Sequence, residues 1–287
     1  MSIEKIKEKR PLLELLEFGI LNIDKPSGPT SFTISNLVRK KLNLRKTSHF
    51  GTLDPMVTGV LPIALNRACK LTGYFLGEDK EYIGVMRIHE DVELKDIAKV
   101  IKKKFLGKIK QTPPVKSRVK RQEREREIKK FELLEKDGKN ILFRAEVEGG
   151  TYIRKLIDDL GKELGIGAHM LELRRTRAGI FSENDKEFLN LYDFERAIEN
   201  NELDKTIIPA EEIIKKVYPV VQIKSDNLKQ IFTGKPIYKE DVISTRKFKK
   251  GEVISVFCDK RFVGMYKITS EEEIFARAEF VMQEIKK

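Results

Sequence analysis

The run His49-Phe50-Gly51-Thr52-Leu53-Asp54-Pro55-Met56-Val57-Thr58-Gly59 sets one carboxylate, Asp54, at the end of a stretch that otherwise holds no acid. Between Pro26 and Leu53 there is no Asp or Glu, whereas Arg39, Lys40, Lys41, Arg45 and Lys46 are all cationic. Gly51, Pro55 and Gly59 punctuate the run as a turn rather than as the solvated face of a helix. A carboxylate so placed can serve as nucleophile or base toward a polyanion that the neighbouring cations attract. An Asp-Pro turn initiator is the competing reading of the dipeptide alone.

The elements that must carry this turn can be read from pattern. Phe18 to Asp24 is a short apolar run closed by Lys25-Pro26-Ser27-Gly28-Pro29, a strand followed by a turn. Thr30 or Ser31 can cap a helix that carries Phe32, Ile34, Leu37, Val38 and Leu42 toward the basic residues. Glu81 to Ile88 and Ile141 to Val147 read as strands, and Asp91 to Phe105 has helical spacing. Lys116 to Lys130 carries eight positive and three negative side chains, and its centre alternates with period two. That favours an extended strand with one basic and one acidic side over a helix. Gly149-Gly150-Thr151 leads into a helix over Tyr152 to Leu164 with Ile153, Leu156, Ile157, Leu160 and Leu164 on one side. Arg154 on that helix has Asp158 four residues on as its local ion-pair partner.

Past Glu195 the chain reads as acidic and helical to about Lys216. From Val217 it changes to short strand candidates at Val217 to Ile223, Glu252 to Cys258 and Phe262 to Ile268, with Asp259-Lys260-Arg261 as a hairpin link. Interleaved strands and helices without a Gly-rich fingerprint give an α+β class. The expected division is a mixed-sheet catalytic domain over 1–216, with an N-terminal extension 1–17, followed by a small β module over 217–287.

Composition narrows the partners. At 287 residues the formal net charge is +12, the balance of a protein whose partner carries phosphates, with anionic membrane as the rival. No apolar run approaches the roughly 20 residues a membrane span needs, and Met1 to Arg10 is charged rather than a signal peptide, so a soluble, cytoplasmic protein is expected. Cys69 and Cys258, with His49, His89 and His169, have no metal-ligand spacing; no metal and no cofactor are expected.

Five motifs in one order carry a resemblance. They are Gly51-Thr52-Leu53-Asp54-Pro55, Lys80-Glu81-Tyr82, Gly150-Thr151-Tyr152-Ile153-Arg154, Asp158-Asp159-Leu160-Gly161, and Gly167-Ala168-His169-Met170 with Leu173-Arg174-Arg175. Together they resemble the TruB and dyskerin group of RNA pseudouridine synthases, from about Pro11 to Leu191, and the tail looks like a PUA domain, a small RNA-binding β-barrel. Arg10-Pro11-Leu12 and Pro113-Pro114-Val115-Lys116-Ser117 bring the likeness nearest to the guide-RNA-dependent (H/ACA) branch.

The resemblance implies roles. Asp54 is the catalytic carboxylate, and Arg154 pairs with it rather than with Asp158. Tyr82 stacks on the target base, where pattern alone gives only a core aromatic. Tyr152 and Leu173 line the same pocket, and His49 occupies or braces the space that the base vacates. Arg39, Lys40, Lys41, Arg45, Lys46, Lys116, Arg118, Lys120 and Arg121 would hold RNA phosphates, where a solvated charged face is the plain alternative. The implied activity is isomerisation of uridine to pseudouridine in rRNA or in the TΨC loop of tRNA. A guide RNA and small ribonucleoprotein subunits are the implied partners. Guide-independent action on tRNA, and a non-catalytic RNA-binding protein of ribosome assembly, are the alternatives.

Overall fold

The computed structural model describes residues 11–114, 120–243 and 246–282. The chain folds as two compact units, one spanning Ile20–Ile207 and the other combining the residues up to Gly19 with those from Ile208 onward.

The larger unit is built on a mixed sheet. Its main strands are β1 (Gly19–Lys25), β2 (Thr58–Leu65), β3 (Lys80–Ile88), β4 (Gly107–Gln111), β5 (Arg124–Asp137), β6 (Asn140–Val147) and β7 (Ala168–Ala178). Their order is β1-β2-β7-β3-β6-β5-β4. β2 runs parallel to β7, and the other neighbours in that path are antiparallel. The helices that matter for the site are α1 (Ser31–Lys41), α2 (Leu94–Lys104) and α3 (Ile153–Glu163).

Local chemistry accounts for these bounds. Thr30 caps α1, its hydroxyl accepting from the Thr33 amide at 3.0 Å. α2 is three residues shorter at its start than the pattern over Asp91 to Phe105 predicts, because Glu93 is extended and forms the cap. In α3, Ile153, Leu156, Ile157 and Leu160 are buried at helical spacing. Gly161 lets that helix close on β7, since a Cβ there would lie 2.1 Å from the Ala168 nitrogen. The extended segment predicted over Lys116 to Lys130 is realised as β5, beginning at Arg124; residues 115–119 fall outside the described residues.

Two strands escape the pattern. β2 contains Pro62, which ordinarily argues against a central strand, yet it lies between β1 and β7 and the Pro62 carbonyl accepts from the Phe50 amide at 3.0 Å. β7 holds the Gly167 to Arg175 motif, and register shifts opposite Glu81/Tyr82 and Val85/Met86 break its alternation of buried and exposed residues.

The second unit carries a five-stranded sheet. Its hairpin Val253–Cys258 and Arg261–Ile268 turns at Asp259 and Lys260, Asp259 taking a φ of 54°, and Ile274–Val281 adds an antiparallel strand that the pattern does not predict. Val221, Ile254, Val256, Val263 and Ile268 are among the residues of its core. The α+β class read from sequence is therefore the class observed, with one mixed-sheet unit and one smaller β-rich unit.

Candidate functional site

Asp54 opens a turn that closes with the Val57 amide on the Asp54 carbonyl at 3.0 Å. The residues on either side of it are fixed from below. Ser31, at the start of α1, accepts from the Leu53 amide at 2.8 Å and donates to the Leu53 carbonyl at 3.1 Å. Lys25, at the end of β1, has no exposed surface and donates to the carbonyls of Pro26, Pro55 and Val57, each at 2.8 Å. The Gly28 amide adds a bond to the Pro55 carbonyl at 2.9 Å. Burial pushes the Lys25 ammonium below its usual range, the Asp54 charge pulls it back up, and Arg175 pushes it down again. The main chain around Asp54 is thus held while its side chain stays 48% exposed.

Arg154 meets it from the first turn of α3. Nη2 of Arg154 lies 2.8 Å from Oδ2 of Asp54, with the arginine 52% exposed. The capping residue Tyr152 is pinned by buried Gln111, which accepts from the Tyr152 amide at 3.0 Å and donates to its carbonyl at 3.3 Å. The local alternative, Asp158, is taken by Lys162 at 2.7 Å and Lys155 at 3.5 Å, and the Lys162 contact draws its carboxyl below the usual range against the cost of burial.

Below the turn lies a cationic floor. Arg175 is 1% exposed and stands opposite Tyr82 in the β3/β7 register. It donates from Nε to the Val60 carbonyl at 2.8 Å and from Nη2 to the Gly51 carbonyl at 3.0 Å; burial lowers its pKa and the Tyr82 phenol acts against that. Leu173 faces Gly84 two residues further along the same sheet face; a Cβ on Gly84 would sit 2.8 Å from Leu173 Cδ1. His49 is half-buried with Nε2 3.1 Å from the Thr52 hydroxyl, and burial, then the Arg175 charge, lower its pKa. Its neighbour Phe50 is buried and stacks on Phe75 with ring centroids 5.1 Å apart.

Lys80, buried at the start of β3, donates to the Leu76 carbonyl at 2.8 Å and to the Glu78 carbonyl, and burial followed by Arg175 pushes it down to about 8. Between that value and the ordinary 10.5 the unfolded chain binds more protons than the folded one, so this group's contribution to stability rises with pH across the window. Lys80→Met removes that rise. Denaturant unfolding at pH 7, 8.5 and 10 therefore shows wild-type stability gaining on the variant as pH increases; a constant gap would refute the assignment.

The structure thus brings Asp54 and Arg154 into contact and sets Tyr82 and Leu173 on one sheet face. Arg175, opposite Tyr82 in register, holds the Gly51 carbonyl, two residues from His49. Tyr152 contributes its backbone as the cap of α3. The basic residues are more dispersed. Arg39, Lys40 and Lys41 occupy the last turn of α1, about 12 to 15 Å along the helix from Ser31. Arg39 Nε donates to Asn36 Oδ1 at 3.1 Å and Lys41 pairs with Glu195 at 2.9 Å. The amides of Arg45 and Lys46 donate to Asn66 Oδ1 at 3.0 and 3.3 Å, leaving exposed side chains. Lys120 and Arg121 are exposed ahead of β5, and Lys116 and Arg118 lie outside the described residues. Sequence reasoning missed Lys25, Arg175, Lys80, Ser31 and Gln111 as members of the site. Three of them carried a signal: Lys80 and Arg175 stand in the motifs that bear the resemblance, and Lys25 ends an apolar strand immediately before Pro26-Ser27-Gly28-Pro29.

Comparison with known proteins sets this sheet and turn in a pseudouridine synthase of the TruB kind. The profile of the TruB family pseudouridylate synthase N-terminal domain matches residues 39–153, and that of the tRNA pseudouridylate synthase B C-terminal domain matches 154–215. The probable tRNA pseudouridine synthase B of Methanocaldococcus jannaschii is 43% identical over 254 residues, 86% of this chain and 75% of the relative. That of Pyrococcus abyssi is 38% identical over 290 residues, 98% and 86%. A chain of a crystallised Cbf5-Nop10-Gar1 complex superposes with a TM-score of 0.85 at 36% identity, over 96% of this chain and 88% of that one. A chain of an H/ACA ribonucleoprotein bound to a substrate RNA containing 2'-deoxyuridine also gives 0.85, at 34% identity over 97% and 89%. The chain belongs to the TruB family of pseudouridylate synthases. Among the described residues no helix is long and apolar enough to cross a membrane.

Proposed function

We propose that this chain isomerises uridines in RNA to pseudouridine as the catalytic subunit of a guide-RNA (H/ACA) ribonucleoprotein, acting on rRNA or on the TΨC-loop uridine of tRNA. The observation that carries the reading is Asp54, half-exposed in a turn held from beneath by Lys25 and Ser31 and met by Arg154 at 2.8 Å. The likeness to chains of H/ACA particles over nearly the whole length supports the guide-dependent form. Small subunits of the kind crystallised with those chains are the proposed protein partners, and the cytoplasm is the proposed location. The names of the sequence relatives favour a second reading, guide-independent action on tRNA.

In the reaction the bond from C1' of the ribose to N1 of uracil breaks, the base turns, and a bond from C1' to C5 forms. The C5 proton is removed and a proton returns to N1, so the product is an isomer and no redox partner enters the balance. Asp54 is assigned as the nucleophile or electrostatic stabiliser and then as an aid to proton removal. The uridine must leave its stack at a cost of a few kcal/mol, which contact with Tyr82 and Leu173 offsets, with His49 bracing the vacated space and Tyr152 lining the pocket. Arg154 positions the Asp54 carboxylate. The cations Arg39, Lys40, Arg45, Lys46, Lys120 and Arg121 are assigned to phosphates, with the small β module beyond residue 216 as a PUA-like RNA-binding domain.

Two measurements test this reading. Purified protein incubated with a tRNA transcript, with and without guide RNA and small subunits, yields pseudouridine by chemical mapping only when the guide is present; turnover on bare tRNA would move the assignment to the second reading. Arg154→Ala lowers single-turnover rate by about 10²-fold while unfolding free energy changes by less than ~1 kcal/mol, because the pair is solvent-exposed. Arg154→Lys restores part of the rate as a point charge without the planar fork.

A further inference from the structure

Resting on the reading that Asp54 meets a uridine drawn out of its stack, we propose that Phe32 and Met56 form an apolar lip that stacks against the nucleobases flanking that uridine. Both are large apolar side chains left open to solvent, Met56 at 70% and Phe32 at 66% exposed. Single exposed apolar residues are ordinary on a protein surface. These two follow the residues that frame one carboxylate, Phe32 next to Ser31 and Met56 two positions past Asp54, in a segment whose charged residues are otherwise cationic.

The rim is one hydrogen-bonded piece. Ser31, next to Phe32, bonds both ways with Leu53, next to Asp54. The Gly28 amide and the Lys25 ammonium hold the Pro55 carbonyl, and Ser27 Oγ lies 3.9 Å from Met56 Sδ. Met56 is two residues from Asp54, at most about 7 Å along the chain. A ribose whose C1' reaches Asp54 carries its neighbours within one backbone repeat on either side, and they pass over this lip. Lysines there would have answered phosphates; an aromatic ring and a flexible thioether instead offer surface to the faces of bases. Every base has such a face, so the lip supplies hold on the RNA beside the uridine rather than a choice of sequence.

The test pairs variants with altered RNA, in the assembly that supports wild-type turnover. Phe32→Ala and Met56→Ala each raise KM by about tenfold, with kcat within about threefold and the melting temperature unchanged, and Phe32→Tyr keeps the wild-type KM. On substrates with an abasic site 5' or 3' of the target, the wild type loses the advantage and the variants' penalty on at least one of them falls below about twofold. An unchanged KM in both variants, or the same penalty with and without the flanking bases, overturns the lip while leaving the enzyme assignment intact. Absence of pseudouridine from the wild type in every assembly overturns both.

Discussion

Asp54→Asn abolishes pseudouridine formation, lowering the single-turnover rate by at least about 10⁴-fold, while RNA affinity stays within a few-fold. The amide keeps the shape of the carboxylate and remains at home in the turn, so the Val57 bond and the Ser31 and Lys25 contacts to its neighbours survive. What it loses is the charge and the capacity to attack carbon or to take a proton. A carboxylate among phosphates adds little attraction, hence the preserved affinity. Stability also changes little, since the Arg154 pair is about half exposed on each side. Rapid-quench assays with excess enzyme, alongside filter binding, check both halves; wild-type turnover in the asparagine variant would remove Asp54 from the chemistry.

The second large effect belongs to a residue that cannot touch substrate. Lys25→Met leaves three carbonyls, of Pro26, Pro55 and Val57, without their ammonium donor. Each lost bond to a charged group is worth about 1.5 to 3 kcal/mol, and relief of a buried cation's desolvation offsets part of the sum. The expected net loss is about 3 kcal/mol in unfolding free energy, read by urea titration. The rate falls by about 10²-fold even where the variant is fully folded, because the turn that aims Asp54 is no longer fixed. Lys25→Arg does not restore it: a planar fork cannot converge on three carbonyls gathered around one point. A variant that lost stability yet kept its rate would show that Ser31 and Gly28 suffice to hold the turn.

How much of this could be read in advance depended on how local the cause was. β1, α1 with its Thr30 cap, β3, β6, α3 and the Asp259-Lys260 hairpin follow from short-range periodicity and turn chemistry, and the structure has them within a few residues. β2 and β7 do not, because long-range pairing decides them. Gly59 sits opposite Arg175, where a Cβ would lie 2.2 Å from the Arg175 carbonyl, and nothing near Gly59 in sequence announces that neighbour. The Asp54-Arg154 pair followed from motif order, whereas spacing alone pointed to Asp158, a residue occupied by lysines three positions before it and four after. Lys25, Lys80 and Arg175 were illegible as interior groups, since composition places such residues outside unless a partner is visible, and their partners are largely backbone oxygens.

Carbonyl dipoles satisfy the donors of Lys25 and Arg175 without cancelling their monopoles. Among the described residues, the side-chain acid acting on Lys25 is Asp54, and the group raising Arg175 is the Tyr82 phenol. On the nucleophilic route proposed above, esterification of Asp54 to a ribose moves its negative charge onto the departing uracil. The two interior positive charges of Lys25 and Arg175 then lie beneath a site whose anion is the detached base, a field that opposes its escape while it turns.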